Sequence, residues 1–126
     1  MKDWELEDWI TEEGNRIVRK VASVVNGANA LNPHERLIYE VWLFDTEQRN
    51  GGVSQYFCNY GLAQWNALSQ LALPVLDSFA IFADAVNKVV GRSSDPYKTI
   101  IGSDTDLNVR YEACRIQLLE DLRDCK

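Results

Sequence analysis

The sequence is poor in the residues that build reactive or metal-binding centres. Histidine occurs once, at His34, and cysteine three times, at Cys58, Cys114 and Cys125, with no CxxC pair among them. A structural zinc centre takes four nitrogen or sulfur ligands, so this ligand count argues against one. The motifs HExxH, GxSxG, the P-loop and GxGxxG are all absent. Their absence removes the zinc-protease, serine-hydrolase, nucleotide-phosphate and dinucleotide classes that those spacings serve. A Cys58–His34 nucleophile pair has none of the flanking sequence that marks a thiol enzyme. The carboxylates Glu35, Glu40 and Asp45 lie on a helical segment, where charged residues are usually solvated, and Glu40 and Asp45 do not share a face. The reading is therefore non-enzymatic, with no cofactor and no metal.

Long apolar runs are missing too. No stretch approaches the length that spans a bilayer, and Met1-Lys2-Asp3-Trp4 leads into acids rather than the apolar segment of a secretory signal. An odd number of cysteines without a pairing pattern suits a reducing compartment, so the expected location is cytoplasmic. Only three prolines and seven glycines occur in 126 residues. They fall between periodic segments, which favours helices over many short strands. That length is enough for one domain, residues 1–126, with a core of its own.

What is present is an excess of acid. Nineteen Asp and Glu against thirteen Lys and Arg give a net charge of −6. Such a balance disfavours direct binding to nucleic acid or to an anionic membrane. It fits simple solubility, and it also fits a basic protein partner.

Taken in order, Asp3 to Asn26 reads as an amphipathic helix with Leu6, Trp9, Ile10, Ile17, Val21 and Val24 on one face. Gly14-Asn15 is a possible break within it. Its polar face runs from acids (Glu5, Asp8, Glu12) to bases (Arg16, Arg19, Lys20), the order that complements the helix dipole. Glu12 and Arg16 are spaced for an i,i+4 pair. Asn26-Gly27-Ala28-Asn29 reads as a stop and a loop. Asn32-Pro33-His34-Glu35 is a helix start with an N-cap, a first-turn proline and a capping box. The helix it opens, to about Arg49, is apolar on most sides through Leu37, Ile38, Tyr39, Val41, Trp42, Leu43 and Phe44, which marks it as the central one.

The glycine doublet after Asn50 ends that helix, because glycine enters positive φ without a Cβ clash. Val53, Tyr56, Phe57 and Tyr60 then form a short helix with one apolar face. Gln55 and Asn59 share a face and are suited to hydrogen-bond backbone groups at the corner. Leu62 to Leu73 continues as a helix carrying Leu62, Trp65, Leu68 and Leu71 or Ala72 on one side. Pro74 leads into Val75 to Val90, where Val75, Phe79, Phe82, Val86 and Val89 form a stripe opposite Asp77, Asp84 and Lys88. Gly91 to Ser103 has the composition of a long loop, with Tyr97, Ile100 and Ile101 tucking back onto the core. The last helix opens at Ser103-Asp104-Thr105-Asp106 and buries Leu107, Tyr111, Cys114, Leu118, Leu122 and Cys125. Ile116 and Leu119 fall off that stripe. With Trp4 or Trp65 they are candidates for a homodimer face. The expected fold is all-α, about five or six helices around the central one.

One run resembles a known family. Glu35-Arg36, Tyr39, Val41-Trp42, Asn50-Gly51-Gly52, Gln55-Tyr56-Phe57 and Asn59 are similar to the pattern in a family of small bacterial all-helical domains of unknown function that includes a neisserial DNA-mimic protein. The resemblance is good from about Leu31 to Phe82. It departs at Val53, where the family usually has an aromatic, and at Arg49, which interrupts the acids before the doublet. The motif carries no known chemistry, and its residues are expected to be structural.

The resemblance implies a non-catalytic regulator that offers carboxylates to the DNA-binding face of a basic partner. The candidate acids are Asp3, Glu5, Asp8 and Glu12 in the first helix and Asp45 and Glu47 late in the second. The last helix adds Asp104 and Asp106 at its start and Glu120, Asp121 and Asp124 at its end. Basic residues interleave with these, as Arg110, Arg115 and Arg123 do. The alternatives are an immunity or antitoxin-like protein that blocks a toxin, and an uncharacterised enzyme or small-molecule binder using the 50–59 corner.

Overall fold

A computed structural model describes residues 2–23, 30–92 and 94–125. Among these are seven helices and no strand: α1 (Asp3–Ala22), α2 (Pro33–Gly51), α3 (Val53–Asn59), α4 (Gly61–Ala72), α5 (Asp77–Val90), α6 (Pro96–Gly102) and α7 (Asp104–Asp124). The all-α expectation holds, with one helix beyond the upper count. The extra helix is α6, in the segment whose composition suggests a loop. Asp95 accounts for it: its carboxylate accepts the Lys98 N–H, and Pro96 occupies the first turn, where a missing N–H is harmless. Of the three residues expected to tuck back, Ile100 is fully buried, while Tyr97 and Ile101 remain exposed. The predicted end of α1 at Val24 to Asn26, and the loop at Asn26 to Asn29, lie outside the described residues.

The start of α2 follows the sequence reading. Asn32 Oδ1 accepts the Glu35 N–H at 2.8 Å, and Glu35 Oε1 accepts the Asn32 N–H at 3.1 Å. Glu35 also receives Lys20 Nζ at 2.9 Å and Arg16 Nη1 at 3.2 Å, which ties the last turns of α1 to the first turn of α2. Arg16 takes Glu13, not Glu12, as its partner within α1.

Phe44 of α2 is the centre of the core. Its ring packs against Tyr56 of α3, Trp65 of α4, Phe82 of α5 and Tyr111 of α7, with centroid separations of 4.8 to 5.8 Å. One contiguous apolar cluster draws residues from all seven helices. Trp65 is fully buried and donates its indole N–H to Asn87 Oδ1 at 2.9 Å. A tryptophan N–H removed from water needs such a partner. Trp65 therefore offers nothing to a dimer face. Leu119 is also fully buried, and Ile116 packs partly against the core. Of the four dimer candidates, Trp4 is the one left outward, at 59 % exposed.

Gly14 does not interrupt α1, which runs unbroken through it. It is a contact glycine: a Cβ there would run into the Trp42 ring of α2. Val75 is exposed and precedes α5, whose buried face runs from Phe79 to Val89.

Candidate functional site

The corner between α2 and α3 is built from both ends of the sequence. Gly52 has φ +90°, and a Cβ on it would meet the Asp104 and Asn108 side chains at 2.9 Å. Both constraints require glycine. A short helix has unpaired N–H groups at its start, and here α7 supplies the acceptors. Asn108 Oδ1 takes the Val53 N–H and Asp104 Oδ1 takes the Ser54 N–H, each at 2.8 Å. The sequence reading assigned the corner amides to this backbone work. Instead Gln55 and Asn59 both donate to Glu47 Oε2, at 2.7 and 2.9 Å. Tyr56 and Phe57 are buried in the aromatic core. Asn50 is exposed and makes no side-chain hydrogen bond among the described residues.

Asp45 is not a surface acid. It is 5 % exposed, as is Arg115, and the two form a two-point pair: Nε to Oδ1 at 2.7 Å and Nη2 to Oδ2 at 3.1 Å. Tyr111 donates its hydroxyl to Oδ1 at 2.6 Å, and Arg115 Nη1 reaches Glu7 at 2.7 Å. Burial, with Asp45 adding to it, pushes the Tyr111 hydroxyl far above its usual range. Burial opposes the charge on Arg115, but hydrogen bonds to Asp45 and Glu7 outweigh it and raise its pKa. The Arg115 guanidinium takes up the Asp45 charge, so Asp45 presents no free carboxylate to a basic partner.

Glu40 is a second buried carboxylate, and its partner is neutral: Gln64 Nε2 lies 2.6 and 2.7 Å from its two oxygens. Burial raises its pKa, against smaller opposing effects of Gln64 and Arg36. The Tyr56 hydroxyl, also buried, has no hydrogen-bond partner among the described residues.

The remaining acids divide by location. Glu47 is held by the corner amides, and Asp104 caps α3. Asp106 pairs with Arg110 one turn on, at 2.9 Å. Asp3, Asp8 and Glu12 are exposed along α1, while Glu5 is half-buried. At the far end of α7, Asp121 accepts from Gln117 and Asp124 from Arg123. Arg123 also feels Glu120 and, across the helix pair, Glu5 of α1; this negative surround raises its pKa, Asp124 contributing most. The structure thus joins the acidic start of α1 to the acidic end of α7.

Asn108, Arg115, Arg123 and Glu7 all shape these arrangements without having been assigned to them from the sequence. Arg115 had a signal: it lies four residues after Tyr111 and three before Leu118, on a buried stripe, where a charge requires a partner.

Cys58, His34 and Asn50 line different cavities. Cys58 lines an apolar cleft with Phe57, Leu62, Pro96 and Tyr97. His34 lines another with Leu37, Leu71 and Cys125, so it does not share a cavity with Cys58. Asn50 lines a third, polar one. All three cysteines are free thiols. Among the described residues no group of three or more His, Cys, Asp or Glu could hold a metal ion. No helix among them is long and apolar enough to cross a membrane.

Fold and site together define a small all-helical protein. The sequence profile of the DMP19-like proteins, named for DNA mimic protein 19, matches residues 29–124, and the chain belongs to that family. The match begins after α1 and reaches to the end of α7, well beyond the corner that carries the sequence resemblance. No curated protein and no solved structure matches the chain.

Proposed function

We propose that this protein is a cytoplasmic, non-catalytic interaction protein that offers its acidic end to a basic partner, in the manner of a DNA mimic. The observation that carries the reading is the packing of α1 against α7, which brings Glu5 to the end of α7, where Glu120 and Asp124 flank Arg123 and Asp124 accepts from it at 2.9 Å. Asp3 and Asp8 are exposed on the same first turns of α1. Asp3, Glu5, Asp8, Glu120 and Asp124 outnumber Lys2 and Arg123 there, and a net negative patch attracts Lys and Arg on a facing protein. Membership of the DMP19-like family makes a DNA-binding regulator the favoured partner. The corner at 50–59 then serves as scaffold: its glycines and its α7 caps hold α7 in register with α2, and so place the acidic end.

The test is capture from the native cell on the immobilised full chain. A basic protein should be retained at low salt, released at high salt and displaced by duplex DNA. Raising ionic strength from 0.1 M to 1 M shortens the screening length from about 10 Å to about 3 Å, which would dissolve an interface held by charge. A partner that persists at high salt, or that DNA does not displace, would refute the reading.

A further inference from the structure

Asn50 is left over when the corner's hydrogen bonds are assigned, and it borders an open polar cavity of about 420 Å³ between α1, α2 and α7. The most buried polar side chains of the lining are Asp45 and Arg115. A guanidinium carries five N–H donors. Asp45 and Glu7 take three of those on Arg115, so two remain, one each on Nη1 and Nη2. Arg49 also lines the cavity and commits only Nη1, to the exposed Glu112. The exposed Thr11 and Thr46 hydroxyls and the Asn50 amide add donors that have no side-chain partner among the described residues. Both carboxylates in the lining are already engaged by Arg115. Within the lining Asp45 and Glu7 balance Arg49 and Arg115, with Glu112 outside it paired to Arg49, and Trp42 and Ile10 add apolar surface.

A donor-rich cavity whose lining also holds Trp42 and Ile10 suits an acceptor-only head group on an apolar body. We propose that this cavity binds a small aromatic carboxylate. The carboxylate would lie on Arg49, Asn50 and the spare N–H groups of Arg115, with the ring against Trp42. Charge-assisted hydrogen bonds to guanidinium set the orientation. The volume falls toward the small end of ligand cavities, roughly 300–1,000 Å³, which suits one or two rings. This site does not depend on the acidic-end reading, since α1 and α7 contribute different residues to each.

The experiment is a titration of benzoate into the full-length, nitrogen-15-labelled chain. It follows the Asn50 side-chain amide, the Arg49 Nε–H and the Trp42 indole N–H by nuclear magnetic resonance. Benzamide, benzylamine and inorganic phosphate are titrated in parallel. Saturable shifts at those three groups with benzoate, and much weaker ones with the other probes, are expected. Arg49 and Asn50 are exposed, so Arg49→Ala and Asn50→Ala should keep the melting temperature while weakening benzoate on the order of tenfold and several-fold. The proposal is overturned by an absence of saturable shifts, by benzamide or benzylamine binding as well as benzoate, by phosphate matching it, or by affinity unchanged in both variants.

Discussion

Asp45 and Arg115, seventy residues apart in the chain, meet as a two-point ion pair inside the core. That pair fixes α7 against α2, and Glu7 extends it to α1. Removing one partner leaves the other charge buried, so Asp45→Ala should cost about 3–5 kcal/mol. Replacing both by apolar residues, Asp45→Leu with Arg115→Met, removes both desolvation penalties and should cost less than either single change. Urea unfolding of the three variants checks this. A double variant less stable than either single one would contradict it.

Gly14 of α1 packs directly against the Trp42 ring of α2. In an open helix, Gly→Ala stabilises by about 1 kcal/mol. Here the new methyl meets the base of the Trp42 ring, which cannot swing away as a flexible side-chain tip would. Gly14→Ala should therefore destabilise, by about 1–3 kcal/mol. Combining it with Trp42→Leu should recover part of the loss, seen as a favourable coupling in a double-mutant cycle. A stabilised Gly14→Ala protein would show that the helices do not meet there.

Glu35 should give the protein an acid-sensitive joint. The Lys20 hydrogen bond, with help from the Asn32 N–H and Arg16, lowers its pKa from 4.5 to about 2. A carboxyl lowered in the folded state stabilises above its ordinary value and loses that contribution as pH falls through the folded value. The melting-temperature gap between wild type and Glu35→Gln should be constant above about pH 5 and close toward pH 2. A gap independent of pH would remove the ionic contribution.

Glu40 has the opposite sign. Burial raises its pKa above 4.5 in the folded state, so ionisation opposes folding at pH above the raised value, and the penalty vanishes below the ordinary one. Glu40→Gln should raise the melting temperature at neutral pH by a few degrees, with no gain below pH 4. Loss of stability at neutral pH would mean that the charge itself is needed there.

Local signals carried much of this architecture. Asn32, Pro33 and Glu35 announce their capping box in four residues, and the all-round apolar character of α2 anticipates Phe44 at the centre. Ser94-Asp95-Pro96 carries the same cap-and-proline signal for α6, masked by the loop-like composition around it. Gly14 could not be resolved locally, since a helix break and a close helix contact both present as a glycine in a periodic stretch. The acids were visible as residues, but not their partners. Asp45, Glu47 and Asp104 are engaged by Arg115, by Gln55 and Asn59, and by the Ser54 N–H, across separations of 8 to 70 residues. Most of those separations lie beyond the reach of any helical period.

The most direct test of the acidic-end reading compares two sets of charge reversals of equal size. One set is Glu5→Lys, Glu120→Lys and Asp124→Lys at the shared end of α1 and α7; the other is Asp77→Lys, Asp84→Lys and Glu112→Lys elsewhere on the surface. Affinity for the captured basic partner is measured at low salt, with melting curves to show that both proteins fold. The reading predicts at least about tenfold weaker binding for the first set and little change for the second. Equal losses in both would show that net charge alone, and not this end of the molecule, governs the interaction.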